Sequence, residues 1–491
     1  MDSEDNYEVT HSTVIIPLVL IVFIASLVQI QRRQADLSHI PTIGPSSFPF
    51  YYIGAIRFFF NATWALQEGY HRSGLAAFKV AQLTRWIVVI TGSELIEELR
   101  KLPEDALSYS DATIKADQLT LTGILTDPSH VALLSTQLTR TLPLVFPELR
   151  DEMVAAFSDA ILKEPTSEWT AVSAVNGMTE IISRVCNRVI VGPQTCREPE
   201  FSALNKQFIR DKTKYLGILP TPQYIGLRAH AKRIRQLLDF KVKRRRQKLE
   251  SSDSEHRHDL LSLLVAKSSG PHASRDITHS ILALNLQAVP TTSLTFTHAL
   301  YHLASASSSD VVQPMRDEIE AVLRQEGWTL NALERMRKVD SFLKESMRIS
   351  GLHALTMQCI SRTDYTFSDG THVPARTHLA VACGPMHLDP AKYTSPQTFD
   401  ATRFVRGSGE GASRYQLATT TADFLAWGHG RAGCPGRFFA AVLMKLMLAH
   451  MVLQYDVRFG DGAGGARPRD CWVGPERFPD LSAEVMFRRR R

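Results

Sequence analysis

The sequence predicts a mainly α-helical chain with small β-sheets, set behind one N-terminal transmembrane helix. Three observations predict this. Residues 13–30 form one long apolar run without charge, and no second such run occurs. The rest reads as long helical segments with few strands and no internal repeat. One strand-turn signal stands out late in the chain, YTFSDGTHVP at residues 365–374, with Asp369 and Gly370 as the tight turn.

Composition agrees. The chain has 491 residues, 44% hydrophobic and 22% charged, enough to bury a large core without disulfide or metal staples. A collagen, a low-complexity polymer and a disordered acidic tail are excluded, and a single apolar run excludes a polytopic membrane protein. The formal charge is +6, from 56 basic and 50 acidic residues. The excess sits at residues 241–248 and 488–491. Such runs suit phosphate, anionic lipid or an acidic partner, and equally a solvated helix face and a frayed tail. Neither is interleaved with aromatic residues, so no nucleic-acid partner is expected. The six cysteines show no C-x-x-C pair, which points to free thiols in a reducing compartment.

Taken in order, residues 1–12 are an acidic N-terminus expected on the lumenal side. Residues 13–30 span about 27 Å as a helix, close to the thickness of a thin bilayer. Arg32 and Arg33 follow, so the positive-inside rule keeps the following chain cytosolic, and the charge order fits a retained signal anchor. The sequon at Asn61 would then face the cytosol and go unused. Residues 31–50 carry Pro41, Gly44, Pro45 and Pro49 and read as a stiff hinge. Residues 51–491 are expected to form the globular body.

The most informative segment is FLAWGHGRAGCPGRFFA, residues 424–440. Cys434 lies in a glycine-rich loop just ahead of an apolar stretch of helical period. Backbone N–H groups and the helix dipole both favour a thiolate there. The glycines let backbone lie against something large and flat. A haem iron suits such a sulfur; a small buried cysteine in a turn is the plainer reading. A nucleophilic cysteine, with His429 near in sequence, is another.

This segment resembles the haem loop of the cytochrome P450 superfamily, F-x-x-G-x-R-x-C-x-G, and is most similar to fungal members of specialised metabolism. Trp427, Gly430, Cys434 and Gly436 fall on the Phe, Gly, Cys and Gly positions. Trp427 replaces the usual Phe. Ala432 stands where the family has a propionate-binding Arg or His, and Arg431 is the neighbouring cation. Glu345 and Arg348 form E-x-x-R, and Pro396, Phe399, Arg403 and Phe404 match the segment expected between it and the cysteine. Glu345, Arg348 and Arg403 would then be a structural charge network. Other E-x-x-R pairs, Glu97 with Arg100 and Glu334 with Arg337, count as ordinary surface pairs.

Upstream, residues 276–305 are long and apolar, with Pro290 in the middle and Thr291 and Thr292 following. A proline there removes one N–H and frees the carbonyl of Leu286, giving a kink that holds water. Threonines hydrogen-bonded back to the helix are the plainer reading. The resemblance places Thr291 at the oxygen and proton relay and Pro290 at the neighbouring acid. Residues 130–140 match a propionate-binding helix only loosely and stay unassigned.

The resemblance, over roughly residues 40–491, implies the P450 fold and thiolate-ligated haem b (iron protoporphyrin IX). It implies a monooxygenase in the endoplasmic reticulum membrane, fed by NADPH-cytochrome P450 reductase and acting on an apolar small molecule from or near membrane lipid. Terpenoid, indole-terpenoid and polyketide-like substrates all fit. Arg431, Arg437 and Lys445 are candidates for the reductase face. The alternatives are a haem-thiolate protein catalysing a non-oxygenating rearrangement or dehydration, and a decayed membrane-tethered binding protein.

Overall fold

A computed structural model describes residues 36–47, 50–72, 76–112, 137–161, 168–214, 222–250, 259–268, 270, 272–306, 308–405, 416–460 and 466–490. The apolar run at 13–30 lies outside these residues, as do positions 130–136 of the unassigned segment. The helices of eight residues or more begin with α1 (Tyr51–Phe60), α2 (Ala62–His71), α3 (Ser93–Lys101) and α4 (Thr139–Ala160). Next come α5 (Ala174–Ile190), α6 (Pro199–Lys214), α7 (Pro222–Glu250) and α8 (Leu260–Lys267). Then follow α9 (Ala273–Ala304), α10 (Gln313–Glu326), α11 (Arg337–Ile349) and α12 (Arg437–Gln454).

Helix α9 is apolar on nearly all sides and is the buried axis of the helical part. Ile277, Ile281, Leu282, Leu284, Val289 and Phe296 are fully buried. It packs on α5, α7 and α11, and α12 closes the same core. Among the described residues α12 alone is long and apolar enough to cross a membrane, but two-thirds of it is buried in the body. It is a core helix.

Strands are few. β1 (Ala77–Gln82) and β2 (Arg85–Ile90) form a hairpin. With β3 (Leu107–Ser108), β5 (Thr356–Ser361) and β8 (His378–Val381) they make a five-stranded sheet, ordered β1-β2-β8-β5-β3. β4 (Thr170–Ser173), β9 (Tyr455–Arg458) and β12 (Glu484–Arg489) form a second sheet, with β12 central. β10 (Cys471–Val473) pairs with β11 (Glu476–Phe478). The expected late hairpin is β6 (Tyr365–Thr366) with β7 (His372–Val373). Its turn closes with Gly370 at φ +86°, which glycine accepts without strain.

Three local expectations are corrected. The second half of the hinge is not a free spacer: Lys79 N–H donates to the Pro41 carbonyl and Ile43 N–H to that of Lys79. Leu37, Ile40 and Ile43 are buried against the body, because apolar side chains leave water where a sheet edge offers backbone partners. The arginine-rich C-terminus is no frayed tail, since Arg488 and Arg489 lie in β12. In the basic run of α7, Lys241 pairs with Glu198 and Arg245 with Asp259, so part of that charge is used internally. Pro290 lies inside α9, which runs through it. All six cysteines are free.

Candidate active site

The segment from Leu425 to Arg437 builds the loop. Gly428 N–H donates to Leu425 O at 2.8 Å, Cys434 N–H to Trp427 O at 2.7 Å, and Gly433 N–H to Gly430 O at 3.1 Å. These bonds fold residues 427–434 into a closed turn. Gly428 has φ +68°, and a Cβ there would lie 2.3 Å from the Ala432 carbonyl oxygen, so only glycine fits. Gly430 has φ +58°, and its Cβ would lie 2.0 Å from Arg100 Cγ. This glycine therefore admits α3 against the loop, a job that the sequence had given to cofactor contact.

Cys434 sits immediately before α12, whose N-cap is Gly436. Burial pushes its thiol above the ordinary value, while the N–H of Gly436, the charge of Arg437 and the N–H of Arg437 pull it down. Burial wins. The expected amides are present, but the loop alone does not hold a thiolate; a metal cation at the sulfur would supply the missing stabilisation. No atom lies within 4 Å of a Cβ built on Gly436, so that side of the loop is open. A half-buried cysteine, two backbone N–H groups at its thiol and open space at Gly436 are a donor set that fits thiolate-ligated iron.

Trp427 does not offer its indole N–H to the sulfur, because that group donates to the Leu417 carbonyl at 2.8 Å. Leu417 N–H in turn donates to Asp340 Oδ2 at 2.9 Å. Asp340 is buried and pairs with Lys445 at 2.7 Å. Lys445 is therefore a core cation joining α12 to α11, and it leaves the candidate docking residues: only 6% exposed, it cannot meet a partner. Arg437 donates to the Cys434 carbonyl at 3.0 Å. Arg431 is exposed.

Glu345 and Arg348 share a face of α11 and form two hydrogen bonds, at 2.7 and 2.8 Å, with both side chains fully buried. Arg403 Nε lies 3.0 Å from each Glu345 oxygen. Arg348 donates to the Pro396 carbonyl at 2.7 Å and Arg403 to that of Thr394 at 2.6 Å. One carboxylate and two guanidiniums thus fasten residues 394–403 to α11, with nearly every donor satisfied.

The sequence reading missed His387. It is buried, and Arg348 donates to its carbonyl. Its Nε2 accepts Leu425 N–H at 3.0 Å, linking the charge network to the start of the cysteine loop. Burial, assisted by the nearby Arg348 charge, lowers this imidazole to about 3, so it stays a neutral acceptor. Nothing local in the sequence marks this ring as a partner of residue 425.

On α9, Thr291 is exposed although Val289, Thr292 and Ser293 beside it are buried. The Thr291 hydroxyl donates to the Gln287 carbonyl at 2.7 Å, and Ser293 bonds back to Val289 in the same way. The plainer reading of these hydroxyls, hydrogen-bonded back to the helix, is the one observed.

Comparisons with known proteins follow this geometry. The family model described as "Cytochrome P450" matches residues 60–467. The chain is 37% identical to "Cytochrome P450 monooxygenase 151" of Postia placenta, over 95% of this chain and 97% of that one. It is 30% identical to "Ent-kaurene oxidase P450-4" of Gibberella fujikuroi, over 92% of each. The fold is similar to that of retinoic acid bound cyanobacterial CYP120A1, with TM-score 0.71 and 18% identity, covering 92% of this chain and 100% of that one. A cysteine turn, a buried Glu–Arg–Arg cluster and a long core helix with one exposed threonine near its middle thus stand on the fold and family that the motifs implied. The chain belongs to the fungal type of cytochrome P450 monooxygenase, with thiolate-ligated haem as its cofactor.

Proposed function

We propose that the protein oxidises an apolar specialised metabolite, of terpenoid, indole-terpenoid or polyketide-like class, with Cys434 as the haem-iron ligand. One oxygen atom of O2 enters a C–H bond and the other leaves as water. Two electrons come from NADPH through a membrane-bound reductase, with two protons. The single observation that carries the ligand assignment is the half-buried Cys434 at the end of the closed turn, with the N–H groups of Gly436 and Arg437 at its thiol. When bound, haem supplies the oxygen activation; the chain holds, orients and protonates. Trp427, Gly436 and Arg431 would border the group. Thr291, exposed on α9, would hold a proton at its hydroxyl for delivery. Glu345, Arg348 and Arg403 keep the strap under the loop in place and do not touch substrate. The terpenoid class draws on the ent-kaurene oxidase relative.

Residues 13–30 would anchor the chain in the endoplasmic reticulum membrane with the body cytosolic. Ile53, Ile56, Phe59 and Phe60 are exposed on α1, just after the segment that follows this anchor, and give the body an apolar edge on that side.

The test is direct. Reduced membranes treated with carbon monoxide should show the strongly red-shifted band of thiolate-ligated haem, and Cys434→Ser should abolish it. Co-expression with a reductase in a host fed candidate terpenoids should give product one oxygen heavier, dependent on O2 and NADPH. Pro290, which offers no relay acid, favours one second reading: product formed without O2 or NADPH would make the chain a rearranging or dehydrating enzyme.

A further inference from the structure

Glu97 and Arg100 read as an ordinary surface pair in the sequence, and His429 as a bystander of Cys434. The fold brings all three together. His429 Nε2 lies 3.0 Å from Glu97 Oε1, and His429 Nδ1 lies 2.8 Å from Thr420 Oγ1. Glu97 in turn accepts two hydrogen bonds from Arg100, at 2.9 and 2.7 Å. The Arg100 side chain lies against Gly430, where a Cβ would come within 2.0 Å of it.

Both ends of this chain are fixed. Glu97 and Arg100 belong to α3. Thr420 follows a segment gripped by α11: Lys344 Nζ donates to the Gln416 carbonyl at 2.8 Å and to that of Thr419 at 3.3 Å. Asp340 holds Leu417 N–H in the same segment. His429 lies inside the closed turn that ends at Cys434, and its ring spans from α3 to the α11-held segment. With Nε2–H donated to a carboxylate, Nδ1 accepts from the Thr420 hydroxyl, and both ring nitrogens are used.

We infer that His429 is a positioning residue for the thiolate ligand: its two hydrogen bonds, to Glu97 and Thr420, set the tilt of the turn and so hold Cys434 Sγ where the Gly436 and Arg437 amides reach it. The inference rests on the reading of Cys434 as haem ligand. Ala432 contributes no polar side chain to the turn; among the described residues His429 and Trp427 are the turn's own side chains that hydrogen-bond outward, and Arg437 adds a bond to the Cys434 carbonyl. Outer partners of this kind tune a metal ligand without touching the metal.

The experiment uses the full-length, haem-loaded protein. Wild type, His429→Phe, Thr420→Val, Glu97→Leu and Glu97→Gln are compared by haem content, thermal midpoint and the carbon monoxide spectrum of the reduced form. In His429→Phe and Glu97→Leu the ratio of the blue-shifted, thiolate-lost band to the red-shifted band should rise on the order of tenfold. Thr420→Val should shift it in the same direction. Glu97→Gln, whose amide oxygen still accepts the imidazole N–H, should match wild type. A merely structural role would lower the thermal midpoint and leave the band ratio of the folded fraction alone, and that result overturns the inference. Should His429→Phe not fold, the Glu97→Leu and Glu97→Gln pair decides in the same way, because Glu97 is partly exposed. A wild type with no red-shifted band would instead overturn the ligand assignment itself.

Discussion

His387 makes the stability of this protein sensitive to acid, by an amount that its surroundings set. The ring is 3% exposed and accepts the Leu425 N–H on Nε2, so a proton there would both charge a buried group and break that bond. Its folded value is lowered to about 3 from the ordinary 6.5. For such a group the unfolded chain binds the proton first. Stability is complete above the unfolded value, falls as pH drops below it, and levels off only below the folded value. Going from about pH 7.5 to about pH 5, this one ring should remove about 2 kcal/mol of unfolding free energy. His298, His302 and His450 are lowered as well, each first by burial, so wild type should lose more than that. The assay is denaturant unfolding at both pH values for wild type and His387→Gln, whose side-chain oxygen can accept the same N–H without titrating. The variant should lose about 2 kcal/mol less between the two conditions. Equal losses in the two proteins would refute the argument, because His387 would then not be the neutral acceptor described here.

Three further outcomes follow from the same contacts. Glu345→Ala should cost about 3–5 kcal/mol by leaving Arg348 and Arg403 uncompensated, whereas Glu345→Leu combined with Arg348→Leu should cost less than the sum of the single changes, as read by denaturant midpoints. Lys445→Met should destabilise by about 3–5 kcal/mol through the orphaned Asp340, while the salt dependence of reductase-driven reduction stays that of wild type. Thr291→Ala should leave the thermal midpoint nearly unchanged, within about 0.5 kcal/mol, and lower the product formed per NADPH consumed.

The legible part of this protein is local. Cys434 precedes a helix by two residues, and the glycines that permit the turn are its neighbours, so one short segment carries its own geometry. Glu345 and Arg348 are three apart on a helix and must share a face. The residues themselves read as long helical segments with few strands, and the fold class follows from the family resemblance of the motifs. What local reasoning overstated is also instructive. A glycine-rich loop supplies amides to a sulfur, but whether the sulfur ionises depends on how deeply the body buries it, and here burial outweighs the amides.

Tertiary structure decided the rest. Glu97 and His429 are 332 residues apart, and Leu425 reaches His387 over 38. No periodicity connects such positions; they meet only because α3 and the 383–388 turn pack against the cysteine loop. Burial likewise turned Lys445 from a presumed surface cation into a core ion pair, and the apolar residues of the hinge into core. Sequence spacing fixes which groups share an element, since helix and turn geometry repeat from residue to residue. Which elements then touch, and which charges lose their water, depends on how whole faces pack, and that information is spread over the entire chain.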